Sequence, residues 1–209
     1  IDFIRILIYA AIVGLVAGTI GTLFTVSVNS VINLRIQYPW LIYLLPLGGV
    51  IIVLLYQLAK YKDAGTDLVI NSIHSEPHLP VRVGPLIFVS SVITHLFGGS
   101  AGREGAALQI GGSVGSFISK TLRLKEEDKK TLIMAGMSGC FSALFGTPLT
   151  AAILPLEVVH VGYMQYAALL PCAIASLVGH SVAIAMNLVE PMNHIGTVPN
   201  LDAITTIAV

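Results

Sequence analysis

The amino-acid sequence predicts an all-α integral membrane protein built from broken and tilted transmembrane helices. Of its 209 residues, 55% are hydrophobic and 11% are charged, whereas soluble domains carry roughly 25% charged residues. The mean hydropathy is +0.86. Long apolar segments open the chain and then give way to short ones that glycine and proline interrupt. These three features exclude an ordinary water-soluble domain.

The first two apolar segments have the length of membrane-spanning helices. A hydrocarbon core of about 30 Å requires about 20 helical residues. Residues 3–33 exceed that length, which predicts a tilted helix or a helix end outside the hydrocarbon. Residues 40–59 predict a second span of ordinary length, and residues 35–40 a turn between the two.

After residue 60 the apolar segments become shorter. Each is nearer half a span than a full crossing, and they lie at 67–73, 84–97, 104–118, 131–145 and 148–161. Broken helices occur at membrane depth only where protein surrounds them or where they line a cavity. Repeated breaks are typical of transporter and channel sites. A longer apolar segment, 163–188, follows and contains Pro171.

The basic residues predict the orientation of the chain in the membrane. Lys60 and Lys62 form one group, and the loop at 120–130 contains five Lys and Arg residues against three acidic ones. Both loops are short, so the positive-inside rule places them in the cytoplasm. No soluble linker or low-complexity tract interrupts the chain. We therefore expect a single membrane domain over residues 1–209, as a fragment of a longer protein.

Charge and cysteine usage narrow the function classes further. The 11 basic and 11 acidic residues cancel, and no dense basic run is interleaved with aromatic residues, which excludes nucleic acid as a partner. Cys140 and Cys172 lie in apolar stretches and are expected to pack as small hydrophobic residues. His95 and His180, also in apolar runs, are expected to be hydrogen-bonded packing residues. No cofactor is implied.

The glycine-rich segment at 98–116 predicts an anion site. It leads to Arg103, Glu104 and Gly105 and then to a helix of small residues. At such a helix start, free backbone N–H groups and the positive end of the helix dipole favour an anion. An ionised Glu104 would compete for the same N–H groups and can also bind a proton. Glu104 is therefore predicted to act as gate and proton carrier, unless it merely caps its helix and pairs with Arg103.

The segment GSAGREGAALQIGG, residues 99–112, resembles the GREGP signature of the CLC family of chloride channels and proton-coupled anion transporters. DAGTDLVINSIHS (63–75) and AGMSGCFSALFGTPLTAAILPLEVV (135–159) resemble two other family blocks, in the family's order. The resemblance implies a fold of two inverted halves, of which this chain is the N-terminal one, and a homodimer. It also implies a transporter of halide anions and protons in the lipid bilayer of the cell membrane, rather than an enzyme.

The resemblance also implies which residues form the pathway. Two helix starts would bind the anion: Gly65, Thr66, Asp67, Leu68 and Val69 at the first, and Gly102, Arg103, Gly105 and Ala106 at the second. In the family the glutamate at the position of Glu104 is the external gate. Glu157 would supply a secondary proton path.

Departures from the chloride motifs favour the fluoride/proton antiporter branch. Thr66 replaces a serine and the GSGIP pattern around it is missing, and Val158 stands where the internal proton glutamate is expected. Ala106 replaces the proline of GREGP, which leaves a further backbone N–H able to donate. Because Val158 fits a channel equally well, a passive chloride channel stays open as an alternative.

An alternative from another class is an intramembrane metal-dependent hydrolase. Glu157 and His160 are one helical turn apart and could bind a metal ion. Such a site needs at least a third ligand, and the apolar segments offer none at an obvious spacing. The sequence therefore favours transport over hydrolysis, and no metal ligand is assigned.

Overall fold

The computed structural model describes residues 3–59, 81–159 and 166–186, and every regular element in these ranges is a helix. Its α-helices are α1 (Phe3–Gln37), α2 (Leu45–Leu58), α3 (Val83–Leu96), α4 (Arg103–Thr121), α5 (Glu126–Phe145), α6 (Pro148–Val159) and α7 (Tyr166–Ala185). A 3-10 helix, Pro39–Leu44, precedes α2. The all-helical fold class predicted from the sequence is confirmed.

Three described segments are long and apolar enough to cross a membrane: Phe3–Gln37, Pro39–Leu58 and Tyr166–Ala185. The first has 35 residues, which at 1.5 Å per residue is about 52 Å and well beyond the bilayer core. The second is divided, because the 3-10 helix ends where α2 begins with a proline in its first turn. In the third, Pro171 lies inside the helix without ending it.

Two of the shorter helices follow the predicted segments, whereas those predicted at 104–118 and 131–145 are longer than half a span, α4 having 19 residues. Helices α3 and α6 contain 14 and 12 residues, in agreement with half-span elements. The prediction for 131–145 is wrong, since α5 begins at Glu126 and has 20 residues. Glu126, Glu127 and Asp128 form its first turn, where acidic side chains interact favourably with the helix dipole. The predicted segment 67–73 lies outside the described residues.

Helix α5 is the centre of the packing and contacts α1, α4, α6 and α7. Its contact with α4 depends on glycine, because a Cβ on Gly111 would overlap the carbonyl oxygen of Gly136. Likewise a Cβ on Gly115 would overlap the carbonyl oxygen of Leu132. Small residues allow helix backbones to approach closely in membranes, where packing and hydrogen bonds replace the hydrophobic effect between helices. This contact holds α4 against the core.

Candidate functional site

The chain turns from α3 into α4 through a glycine-dependent helix end. Gly98 has φ of 87°, a left-handed conformation that glycine adopts without strain. Its N–H donates to the carbonyl of His95 at 3.2 Å, and the N–H of Gly99 donates to the carbonyl of Thr94 at 2.8 Å. These two bonds are those of a Schellman motif. They satisfy carbonyls at the end of α3 and direct the chain towards the start of α4.

Helix α4 begins with unpaired backbone donors. Gly102 precedes the helix in an extended conformation, with φ −63° and ψ 129°, and has no side chain to cap it. In a helix that starts at Arg103, the N–H of Ala106 is the first with a carbonyl four residues before it. The N–H groups of Arg103, Glu104 and Gly105 therefore lack a partner within the helix. The Ala106 side chain is buried in the core and fixes this turn in place.

The Glu104 side chain is exposed and turns back over the start of its own helix. One carboxylate oxygen, Oε2, lies 3.2 Å from the position that a Cβ on Gly102 would occupy. Glycine at 102 therefore leaves the space that the carboxylate uses. Within the part of the chain that the structure describes, Arg103 and Glu104 form no ion pair with each other. The alternative in which Arg103 pairs with Glu104 is thus not observed.

Glu104 lines a polar cavity of about 480 Å³. The other lining groups come from five places: the loop at 98–102, Arg103 of α4, Arg35 and Ile32 of α1, His95 at the end of α3, and Phe145 at the end of α5. Two guanidinium groups, one carboxylate and one imidazole therefore share this cavity. A helix N-terminus with neighbouring cations offers an anion both dipoles and charge.

The predicted site residues divide into three groups. Gly102, Arg103 and Glu104 line the cavity, with Gly105 partly buried next to them. Glu157 is exposed on α6 and does not line the cavity, while Val158 packs against the core. The first predicted helix start, Gly65, Thr66, Asp67, Leu68 and Val69, lies outside the described residues.

The sequence does not indicate the lining residues that α1, α3 and α5 contribute, of which Arg35 and His95 are polar. The pattern predicts a turn at Arg35, whereas this residue lies in the last turn of α1, and it predicts packing alone at His95. The ring of His95 is 8% exposed, and its Nδ1 lies 2.7 Å from the carbonyl oxygen of Ser91, as a packing residue requires. It also lines the cavity. The sequence signal for the place of His95 in the cavity lining is its position three residues before Gly98, where the helix ends and the glycine-rich loop begins.

The described residues contain no group of three or more His, Cys, Asp or Glu side chains that could hold a metal ion. His160, the second ligand of the hydrolase alternative, lies outside those residues. Cys140 and Cys172 are buried and not in a disulfide. They pack as the sequence predicted.

The model of the family described as voltage gated chloride channel matches residues 47–209. The chain belongs to this family. It is 40% identical over 191 residues to a chloride/fluoride channel protein of Pseudomonas syringae pv. tomato, covering 90% of this chain and 42% of that one. It is 33% identical over 172 residues to the H(+)/Cl(−) exchange transporter ClcA of Citrobacter koseri, covering 74% and 36%.

Two solved antiporter structures share the fold of this chain. A CLC-type fluoride/proton antiporter matches with a TM-score of 0.84 and 32% identity, over 90% of this chain and 48% of that one. A slow cyanobacterial Cl−/H+ antiporter matches with a TM-score of 0.71 at 22% identity, over 86% and 46%, and supports the fold alone. The chain thus spans less than half the length of these relatives. Its resemblance to the N-terminal half of the family fold, and its membrane location, are confirmed.

Proposed function

We propose that the full-length protein is a proton-coupled halide antiporter in which Glu104 is the gate. The observation that carries this proposal is the position of the Glu104 carboxylate, over the unpaired N–H groups of α4 and in a polar cavity. An ionised carboxylate occupies the space that an anion needs. A protonated one has less affinity for those donors and leaves. Anion entry and proton binding are therefore coupled at one side chain.

The anion is bound in this proposal by backbone groups at two helix starts. The second start contributes Gly102, Arg103 and Gly105. Ala106 follows them and is the first residue whose backbone N–H has a partner within the helix. The first start, residues 65–69, remains a prediction from the sequence. Two dipole ends stabilise an ion without a full countercharge, so the ion can also leave.

Fluoride is the proposed substrate. The relative with 40% identity is named a chloride/fluoride channel protein, and the solved structure with 32% identity is a fluoride/proton antiporter. Fluoride is small and a strong hydrogen-bond acceptor, so it needs several close donors. The hydroxyl of Thr66 would add one donor. Val158, at the position of an internal glutamate, is consistent with the same branch.

The remaining features of the proposal concern proton movement and assembly. Glu157 is the candidate for a secondary proton path, because it is the acidic residue that α6 exposes. The protein acts as a transporter rather than an enzyme. We propose a homodimer in the cell membrane, in keeping with the family resemblance.

The experiment is anion efflux from proteoliposomes that contain the full-length protein. Fluoride and chloride efflux are measured with ion-selective electrodes while a pH electrode follows proton movement. Fluoride should move at least about tenfold faster than chloride, a barrier difference of about 1.4 kcal/mol, and protons should move in the opposite direction. Equal fluxes of the two ions without any change in pH would instead support the passive chloride channel.

A further inference from the structure

We propose that an anionic phospholipid binds in a groove between α1, α3 and α4, with an acyl chain in the groove and its phosphate at Arg82 and Arg123. The groove shares no lining residue with the Glu104 cavity, so the inference goes beyond halide transport and does not depend on it. The chemistry of the partner follows from two adjoining surfaces, one apolar and one basic.

The groove has a volume of about 430 Å³, which is within the usual range of ligand pockets. Of the described side chains that line it, only that of Ser113 is polar, and its hydroxyl donates to the carbonyl of Gln109 at 2.8 Å. Such a lining gives a water molecule no hydrogen-bond partners. It consists of aliphatic and aromatic side chains, among them Val16 and Ile20 of α1, Phe88 and Val89 of α3, and Val114 and Phe117 of α4.

The groove opens to the surroundings of the chain at membrane depth. Val81, Val89 and Phe117 line it and are exposed. Val16 and Ile20 lie near the middle of α1, which is long and apolar enough to cross a membrane. In the hydrocarbon core, an open apolar groove is surrounded by lipid acyl chains. Its depth and its lining therefore favour an acyl chain as the occupant.

The packing of α3 on α4 shows which end of the groove is basic. A Cβ on Gly84 would lie 3.1 Å from the Cβ of Ser113, so the first turn of α3 contacts the second half of α4. Arg82 directly precedes α3 and is exposed. It also follows the lining residue Val81. Arg82 therefore lies at the end of the groove towards which α4 runs.

Arg123 provides a second cation beyond this end of α4. Its N–H donates to the carbonyl of Lys120 at 3.0 Å, and the N–H of Leu124 donates to the carbonyl of Ser119 at 3.1 Å. These bonds form a Schellman motif, in which Arg123 has φ of 51°, a conformation that favours glycine. The buried Leu124 packs with residues of α1. The exposed Arg123 thus extends from a turn that is held in place.

The charges at this end of the molecule favour a negative headgroup. Segment 120–130 has five Lys and Arg residues against three acidic ones, and one of these acids, Glu126, is paired with Lys129. Arg82 adds to the excess of positive charge. Basic pockets between transmembrane helices bind the headgroups of anionic lipids, and a guanidinium group matches the geometry of a phosphate. The phosphate of a lipid whose chain enters the groove therefore meets cations.

The test compares two lipids with the same acyl chains and different headgroup charge. Full-length protein in an uncharged detergent is mixed with dioleoyl phosphatidylglycerol or dioleoyl phosphatidylcholine, and native mass spectrometry gives the apparent Kd of the first lipid bound. We expect phosphatidylglycerol to bind at least about tenfold more tightly, since each interfacial Lys or Arg contributes up to about fivefold. Glycerol phosphate, which has no acyl chain, should not displace it at equal concentration.

Variants of the two arginines test the headgroup contact. Arg82→Gln and Arg123→Gly should each lower the preference for phosphatidylglycerol at least about threefold. Lys129→Gln is the matched control and should keep the preference, because this cation is already paired with Glu126. Glycine is the usual residue in the turn that Arg123 occupies. Arg123→Gly should therefore not lower the thermal unfolding midpoint in lipid-free detergent, which separates lost lipid binding from lost stability.

A substitution in the groove tests the acyl chain. Val89→Trp places a larger side chain in the lining and should weaken the binding of both lipids at least about fivefold, whereas Val53→Trp, exposed on α2 and outside the groove, should not. The proposal is overturned by equal affinity for the two lipids, by a preference that survives both arginine substitutions, or by displacement with glycerol phosphate. Unchanged binding in Val89→Trp, or no tightly bound lipid because the rest of the full-length chain covers the groove, also overturns it. The proposed antiport fails separately, in the flux experiment.

Discussion

At the residue scale, the position of Glu104 at the start of a helix determines what its carboxylate can interact with. The residue is exposed and has no ion-pair partner among the described residues, so what distinguishes it is the unpaired turn on which it lies. Glu126 is also in the first turn of a helix, but it forms an exposed ion pair with Lys129 at 2.6 Å. Such pairs contribute about 0–1 kcal/mol. The two glutamates therefore differ in surroundings rather than in local secondary structure.

Replacing Glu104 with glutamine should abolish proton coupling. The amide is neutral at every pH and cannot carry a proton, so proton movement driven by an anion gradient should fall to the level of protein-free vesicles. Anion flux should change or stop as well, because the gate no longer responds to pH. Proteoliposome flux with a pH electrode measures both. Glu126→Gln is the matched control and should transport normally; a Glu104→Gln protein that still pumps protons at the normal rate would refute the assignment.

Glu157 should affect protons more than anions. It is exposed on α6 and outside the lining of the Glu104 cavity, so its loss leaves the anion donors of α4 in place. We expect Glu157→Gln to lower proton flux several-fold while the anion affinity measured by calorimetry stays within about twofold, or 0.4 kcal/mol. Glu127→Gln, an exposed acid on α5, serves as control. Unchanged proton flux in Glu157→Gln would remove this residue from the proton path.

The sequence predicted the residues that α4 contributes to the Glu104 cavity, but not those that α1 and α3 contribute. Gly102, Arg103 and Glu104 form a contiguous motif whose chemistry follows from a helix start. Arg35 and His95 belong to other helices, and their approach to that motif depends on how α1 and α3 pack. Periodicity along one segment carries no information about such packing. A lone histidine in an apolar run therefore gave no reason to connect it with Glu104.

At the scale of helices, the contact between α4 and α5 positions the site. Gly111, Gly115 and Gly136 bring the two backbones into contact. The sequence indicated small residues at helix-packing spacing, but it could not indicate which glycines meet. The start of α5 differs from the prediction, because three acidic residues flanked by lysines are compatible both with a loop and with a polar first helical turn. Hydropathy determines the apolar middle of a helix better than its ends, because polar residues at an end can form either a loop or a helical turn.

Gly136→Ala should destabilise the protein although it adds only one methyl group. The new Cβ would overlap the carbonyl oxygen of Gly111 and lie 3.0 Å from the backbone nitrogen of Gly115, so whole helices must shift. Overpacking of this kind costs about 3 kcal/mol at the upper end of its usual range. Alanine favours a helix over glycine by about 1 kcal/mol, which works in the opposite direction.

Gly49→Ala provides the matched control for this prediction. Gly49 lies within α2, and a Cβ there has nothing within 4 Å, so only the gain in helix propensity remains. Thermal unfolding of the purified protein in detergent measures the difference. Gly136→Ala should unfold about 6 °C lower or more, and Gly49→Ala at or slightly above the parent temperature. Equal midpoints for the two variants would show that the α4–α5 contact can relax.

At the scale of the whole molecule, the fold brings the ends of different helices together. The last turn of α1, the end of α3 and the start of α4 all line one cavity. The chain covers 48% of the fluoride/proton antiporter that it resembles. The family resemblance implies that the second inverted half of the fold would supply the other side of this pathway. The fold class was predictable because membrane helices must satisfy their own backbone hydrogen bonds.

The orientation of the molecule gives the last prediction. Helix α4 has 19 residues, about 28 Å of rise, which separates the Glu104 cavity at its start from the basic segment 120–130 at its end. The positive-inside rule predicts that the five Lys and Arg residues of segment 120–130 face the cytoplasm, so we expect the Glu104 cavity to open outside. Ser100 is exposed at the cavity and Glu127 at the loop, which makes both suitable for cysteine labelling.

A membrane-impermeant maleimide should label Ser100→Cys in intact cells, and Glu127→Cys only after the cells are permeabilised. Neither substitution removes a positive charge, so the charge bias that sets orientation is kept. Cys140 and Cys172 are 0% exposed, so these two cysteines should give little background. The reverse pattern would turn the molecule over and place Glu104 on the cytoplasmic side. Labelling of both variants in intact cells would mean that the short basic loops do not fix a single orientation.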